Sequence, residues 1–477
     1  MTLRRRDTLA LTGALLAGLA GCTGTDDQGT TRTDTAAPNA DTSTRDDSPN
    51  DGTTTTESPG FDDLDAPPFP QVDFVTDPDL AADKLAEQLR GNVGFALDLL
   101  GVLREQRAAP NLFVSPYSVS VAMAMTYAGA RGETRTELAD ALRYELDGGD
   151  LHAAFGALAA EFERRNADGK TASGRVMTER EADAGPAFEL TTANSAWGQE
   201  DYPFSRAYLD LLDAYYRAGL QLADFSGDPE AARQRINEWV AERTNDRIED
   251  LLPKGSIDAT TRLVLTNAVY FSARWRVPFS EEQTEPRQFT ALDGTTAEVP
   301  TMHQSVETNY VAVGGHRLVE LPYANQQTSM VVVLPAEGEF EAFERALTVD
   351  RLAVMLDRAE EALVDLALPK FEVRSAFSLV EALEELGVET AFTGQADFGG
   401  MVEGEGGPFL DDIVHQSFVT VDERGTEAAA ATAAIVAESA PARQAEMTVD
   451  RPFLFYIRDR PTETPLFVGR VTSLGES

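Results

Sequence analysis

DERGTEAAAATAAIVAESAPAR, residues 422–443, sets an unusual problem for a folded chain. Seven of the ten residues from Ala428 to Ala437 are alanine, and no charge stands between Glu427 and Glu438. Alanine is the best helix former and a poor strand former. Yet the run starts just after Gly425, where the backbone is freest, and ends near Pro441. Alone, the segment reads as a short helix or an Ala-rich linker.

The rest of the chain narrows the choice. It has 477 residues, with 80 acidic and 40 basic side chains and a net charge of -40. Only Lys84, Lys170, Lys254 and Lys370 are lysines. An acidic, lysine-poor surface with ordinary apolar content fits high salt, where screening suppresses self-repulsion. The plainer alternative is an acidic protein of ordinary habitats. Such a charge disfavours nucleic acid as a partner.

Chemistry-bearing residues are few. Cys22 is the only cysteine, so no disulfide forms within the chain. His152, His303, His316 and His415 have no metal-ligand spacing, so neither metal nor cofactor is expected. Gly-x-Ser-x-Gly, His-Glu-x-x-His and phosphate-loop motifs are absent. The chain therefore reads as a non-enzyme. A hydrolase with scattered Ser, His and Asp residues is the alternative from another class.

The N-terminus speaks to location. Arg4-Arg5-Arg6 precedes an apolar stretch, Thr8 to Ala20, that is too short to span a bilayer. The arginines resemble a twin-arginine export signal over residues 1–21. Leu19-Ala20-Gly21-Cys22 resembles a lipobox, which implies lipidation of Cys22 and attachment to a membrane by that lipid alone. An ordinary cysteine inside a cleaved signal is the alternative. Residues 22–72 are rich in Thr, Asp, Ser, Gly and Pro, and read as a disordered tether. The folded domain is expected over 73–477, without an internal linker or repeat.

Within it, ADKLAEQLRGNVGFALDLLGVLRE (82–105) has helical periodicity. Asp228-Pro229 reads as an N-cap and first helical residue, followed by Ile236, Trp239, Val240, Ile248 and Leu251 at a 3.6 period. RLVLTNAVYF (262–271), SMVVVLP (329–335), VDLALPKF (364–371) and PFLFYI (452–457) read as buried strands. Helices dominate the first half and strands the second, so the fold class is α+β.

An ordered set of motifs then resembles the serpin family. NLFVSPYS (111–118), followed by VAMAMTYAGARGETRTELADAL (121–142), looks like its second and third helices. LTTANSAWGQEDYPF (190–204), INEWVAERTNDRIEDLL (236–252), LVLTNAVYFSARWRVPF (263–279), ELPY (320–323) and LPKFEV (368–373) continue in family order. VHQSFVTVDERGTEAAAATA (414–433) looks like the strand and hinge of the reactive loop, and RPFLFYIRDRPTETPLFVGRV (451–471) like the closing segment. The set spans roughly four-fifths of the chain. Arg424 departs from the Glu or Lys common before the hinge glycine, and Leu474 from a common closing proline.

The resemblance implies helices around a large central mixed sheet with smaller sheets and an exposed loop that baits serine proteases. After cleavage the loop inserts as a new strand and carries the acyl-enzyme with it. Glu423, Gly425, Thr426, Glu427, Ala428, Ala429, Ala430, Ala431 and Thr432 would form the hinge. Thr426, Ala428, Ala430, Thr432 and Ala434 share one strand face and are small and uncharged. Ser439, fourteen residues after Gly425, would be the specificity residue, with cleavage before Ala440. A slip of one residue would make it Glu438 or Ala440. A small residue there suits an elastase-like or subtilisin-like protease acting on a monomer. Ser115, Ser118, Asn267 and His415 resemble the polar cluster beneath the opening of the sheet, and Trp275 the tryptophan above it. Static core packing is the alternative for all five. A non-inhibitory, binding serpin is the runner-up function.

Overall fold

The computed structural model describes residues 60–61, 64–70, 81–106, 110–170, 188–216, 220–404, 407–408, 410, 412–426 and 443–475. Residues 1–59 lie outside this set, including the export signal, Cys22 and most of the expected tether. So do Glu427, Ala428, Ala429, Ala430, Ala431, Thr432, Glu438, Ser439 and Ala440.

In chain order the elements that matter are α1 (Ala82–Gln106), β1 (Leu112–Val114), α2 (Pro116–Gly129), α3 (Gly132–Ala141), α4 (Gly148–Lys170), β2 (Phe188–Gln199), α5 (Arg206–Tyr216), β3 (Leu220–Ala223), α6 (Pro229–Arg243) and β4 (Leu263–Arg274). They continue with β5 (Glu285–Thr290), β6 (Thr296–Val313), β7 (His316–Pro322), β8 (Thr328–Leu334), α7 (Phe340–Ala346), α8 (Val349–Asp357), β9 (Glu360–Pro369), β10 (Phe371–Ser378) and α9 (Val380–Glu385). The last are β11 (Ile413–Val421), β12 (Gly425–Thr426), β13 (Gln444–Thr448), β14 (Phe453–Asp459) and β15 (Thr464–Val471).

Two sheets organise the domain. One is six-stranded and mixed, in the order β10-β11-β12-β4-β2-β3. The other has nine strands along β1-β15-β14-β8-β7-β6-β9-β13, with β5 paired to β6. The 18-residue β6 joins what would otherwise be two smaller sheets, because it is long enough to pair with β5 and β9 and also with β7. The architecture is α+β, as its periodicities imply. Phe113, Phe455 and Phe467 stack in the main core between the sheets.

Three boundaries differ from the sequence reading. The helix after Asp228 is capped as expected, with the carboxylate accepting from Ala231 N, but it ends at Arg243. Asn245 and Asp246 take left-handed backbone angles that stop it. Ile248 and Leu251 then pack with Val240, Ala193 and Ala268 in a small separate core. VDLALPKF is not one strand: β9 ends at Pro369 and β10 starts at Phe371, around a corner at Lys370. Finally, part of the expected tether packs on the domain. Phe61, Leu64 and Phe69 lie against the main core. Arg90 Nη1 donates to the Phe69 carbonyl at 3.3 Å. Phe61 packs on His316 and Phe343 with the Arg351 guanidinium over its ring.

Candidate functional site

The site lies along the seam between β4 and β11. These strands are parallel and pair directly only from Ile413 opposite Leu265 to Ser417 opposite Val269. Above that they separate. β12 enters the gap at the top, antiparallel to both, with Thr426 opposite Val421 on one side and Ala273 on the other. Gly425 is required there: a Cβ at this position would sit 2.1 Å from the Ala273 carbonyl oxygen.

Below the gap is a closed polar ring. Ser115 caps α2, its hydroxyl accepting from Ser118 N at 3.2 Å and donating to the Leu466 carbonyl at 2.7 Å. Ser115 N donates to His415 Nε2 at 3.4 Å. The proton of the neutral imidazole is therefore on Nδ1, which donates to Asn267 Oδ1 at 2.5 Å. Asn267 Nδ2 donates to Asn194 Oδ1 at 3.3 Å, and Ser118 Oγ donates to the same oxygen at 2.7 Å. Asn194 Nδ2 returns to the Ser118 carbonyl at 3.2 Å. All five residues are buried. Burial pushes the His415 imidazole down to about 3, so it stays neutral at ordinary pH. The ring ties β2, β4 and β11 to the start of α2, and cannot open without exchanging partners.

Above the gap, aromatic and charged groups grip the chain. Trp275, just past β4, donates from Nε1 to the Asp422 carbonyl at 2.9 Å and from its amide to the Arg424 carbonyl at 2.9 Å. It stacks on Tyr323 at 4.8 Å between ring centres. Thr426 is fully buried and shares a 2.8 Å hydrogen bond with the Tyr323 hydroxyl. Glu423 is buried and accepts from Lys370 Nζ at 2.8 Å and Thr284 Oγ1 at 2.7 Å. Burial raises its carboxyl, but these two partners outweigh that and hold it below the usual carboxylate range. Arg424 pairs with exposed Glu281 at 2.8 Å.

Thus the structure brings Ser115, Ser118, Asn267 and His415 together, and gathers Glu423, Gly425, Thr426 and Trp275 above them. Asn194, Tyr323, Lys370 and Asp422 belong to the same seam and went unrecognised in the sequence. Asn194 had a detectable mark: a polar residue at an inward position of a strand, directly opposite Asn267. Among the described residues, no group of three His, Cys, Asp or Glu side chains could hold a metal ion. No helix among them is long and apolar enough to cross a membrane.

This two-sheet arrangement matches known proteins. The family profile "Serpin (serine protease inhibitor)" matches residues 90–474. The chain belongs to the serpin family. Bovine leukocyte elastase inhibitor is 36% identical over 400 residues, covering 81% of this serpin and all of that protein. An uncharacterised serpin-like protein of Thermococcus kodakarensis is 36% identical over 364 residues, 76% of this chain and 80% of that one. Among solved structures, the thermophilic serpin tengpin in its native state aligns with a TM-score of 0.69 at 27% identity, covering 87% of this chain and 98% of tengpin. Uncleaved ovalbumin aligns with a TM-score of 0.68 at 26% identity, covering 81% of this chain and all of ovalbumin. The family is one of protease inhibitors rather than catalysts.

Proposed function

We propose that this serpin is a suicide substrate of serine endopeptidases, not an enzyme, and traps the acyl-enzyme by inserting its cleaved loop between β4 and β11. The observation that carries this reading is the register of Thr426. In an inserted strand that kept this register, Ala428 would fall between Phe271 and Val419, and Ala430 between Val269 and Ser417. Thr432 would then fall between Asn267 and His415, and Ala434 between Leu265 and Ile413. Along β11, residues 413, 415, 417, 419 and 421 are buried and their neighbours are half-buried. Thr426 faces the buried side, so residues 428, 430, 432 and 434 must follow it there. They are Ala, Ala, Thr and Ala, which enter without a charge or a large side chain. Glu427 would fall on the opposite face of the inserted strand.

Insertion breaks the pairing from Ile413 to Ser417 and the His415–Asn267 bond, and replaces them with two ladders. A dozen new hydrogen bonds at about 0.5–1.5 kcal/mol each supply on the order of 10 kcal/mol. Outcome rests on rates, since insertion races deacylation. About 1.4 kcal/mol on the insertion barrier shifts the partition tenfold.

The target we assign is an elastase-like or subtilisin-like protease cleaving between Ser439 and Ala440. The small residue in the sequence and the relationship to a leukocyte elastase inhibitor support it. Export through residues 1–21, lipid attachment at Cys22, a tether, a monomeric state and adaptation to high salt complete the proposal. The motif and composition arguments support these parts.

The test mixes the full chain with a subtilisin-like protease in molar salt, followed by a denaturing gel. A covalent band near the summed mass, with a short C-terminal fragment released, is the expected result. Sequencing that fragment fixes the scissile bond. Clean cleavage with the protease still active, repeated with a second serine protease class, would move the chain to the non-inhibitory reading.

A further inference from the structure

Gly425 and Thr426 already occupy the top of the seam between β4 and β11, and one side chain is placed to hold them there. Between β11 and β12 the backbone reverses over four residues, Asp422 to Gly425. Asp422 N donates to the Gly425 carbonyl at 3.0 Å, and Gly425 N returns to the Asp422 carbonyl at 3.3 Å. The Asp422 carboxylate adds what the backbone cannot. Its Oδ1 accepts from Arg424 N at 2.8 Å and from Gly425 N at 3.2 Å. Among the described residues Asp422 is the side-chain acceptor for the amides of Arg424 and Gly425. The neighbouring anchors act elsewhere. Glu423 holds the end of β11 to Lys370 and Thr284. Trp275 and Phe279 receive the carbonyls of residues 422, 424 and 423 by their N–H groups, holding the outer edge of the turn. Neither set closes the turn.

We propose that Asp422 is a positioning residue for loop insertion: its carboxylate folds the chain back so that Gly425 and Thr426 occupy the seam before any protease arrives. This rests on the inhibitory reading for its consequence, and on geometry alone for its structural half. An extended chain leaving β11 at Val421 points away from the domain along the strand axis. Reversal is the first step any inserting loop must take. A carboxylate or amide oxygen two residues before the reversed amide is suited to hold it. With the reversal built in, insertion after cleavage continues an existing strand, with no need to nucleate one. Asp422 does not touch the scissile bond.

The test compares the full-length parent with Asp422→Ala and Asp422→Asn. Asparagine keeps an acceptor oxygen at the same place, and alanine removes it. The first measurement needs no protease: hydrogen–deuterium exchange of the peptide covering 422–426 in the uncleaved chain. Exchange is expected to rise about tenfold in Asp422→Ala and to stay near the parent in Asp422→Asn. The second is the fraction of subtilisin-like protease trapped covalently against that which cleaves and escapes. It is expected to fall about tenfold for alanine, and asparagine is expected to rescue it. Unchanged exchange in Asp422→Ala overturns the proposal. Raised exchange with undiminished trapping overturns its functional half. If the parent traps no protease, the inhibitory reading fails by itself, and exchange alone decides whether Asp422 positions the hinge. Should Asp422→Ala not fold, Asp422→Glu carries the same expectation, because it keeps the charge and displaces the acceptor.

Discussion

The Thr426 hydroxyl and the Tyr323 hydroxyl share a 2.8 Å hydrogen bond in a fully buried setting, with Trp275 stacked on the Tyr323 ring. Thr426 is therefore docked against an aromatic floor that can accept a small polar group and nothing charged. Arginine at 426 would carry an unpaired cation into that floor or expel β12 from the seam. Either outcome raises the barrier to insertion by several kcal/mol, since an unpaired buried charge is costly. Thr426→Arg is expected to be cleaved normally and to trap protease at least about a hundredfold less efficiently. Gel densitometry of trapped against cleaved product measures this. Equal trapping by the variant would sink the insertion reading.

Glu423 gives a prediction of stability more than of partition. Its carboxylate is the common acceptor for Lys370 and Thr284, joining the end of β11 to the corner between β9 and β10. Glu423→Lys removes both bonds and sets two ammonium groups side by side. A loss of about 2 kcal/mol is expected, with faster hydrogen exchange at the upper ends of β4 and β11. Adding Lys370→Glu to Glu423→Lys restores the pair with reversed signs. It should recover part of the loss in a denaturant titration, and absence of any recovery would refute the pair as the cause.

Much of the seam was legible in sequence, for physical reasons that differ by residue. β4 declares itself by a buried apolar run, β11 through the family resemblance of VHQSFVTV, and Asp228-Pro229 by cap chemistry. Asn194 escaped because its meaning comes from register: only the pairing with Asn267 shows that two amides face one another. Asp422 escaped for the same reason, since an aspartate in a turn is common and its partners are backbone amides. Composition alone does not reveal the packing of Phe61, Leu64 and Phe69, three apolar side chains spaced among prolines and acids. The helix after Asp228 is shorter than its sequence period because Ile248 and Leu251 keep that period while packing in another core.

That N-terminal segment makes its own prediction. Phe69 lies among Val93, Leu97, Leu352 and Tyr456, and Arg90 holds its carbonyl. Phe69→Ala should cost about 1–2 kcal/mol, less than a fully buried phenylalanine because the ring is only partly covered. Phe61→Ala should cost about 1 kcal/mol through its contacts with Phe343 and Arg351. Urea midpoints of the two single variants and the double variant measure this. If all three match the parent, the segment contributes nothing to the fold.

Acid should weaken the domain through its buried imidazoles. Burial lowers His415 to about 3 and His152 to about 4, the latter with a further push from Arg135. Unfolding releases both to an ordinary value near 6.5. Above that pH neither state binds the proton and there is no effect. Below it the unfolded chain takes up protons that the folded chain refuses, so stability falls as pH falls, until the folded values are reached. Between pH 6.5 and pH 5 each group should cost about 2 kcal/mol. Denaturant midpoints at pH 7.5 and pH 5, at fixed salt, measure the total. His152→Phe removes one titrating group while keeping an aromatic ring in a cluster of Tyr127, Tyr215 and Tyr216. The variant should lose about 2 kcal/mol of the pH-dependent loss, the rest staying with His415 and with His316, which burial also lowers. A pH profile identical to the parent's would show that His152 titrates alike in both states, against the burial that the structure gives it.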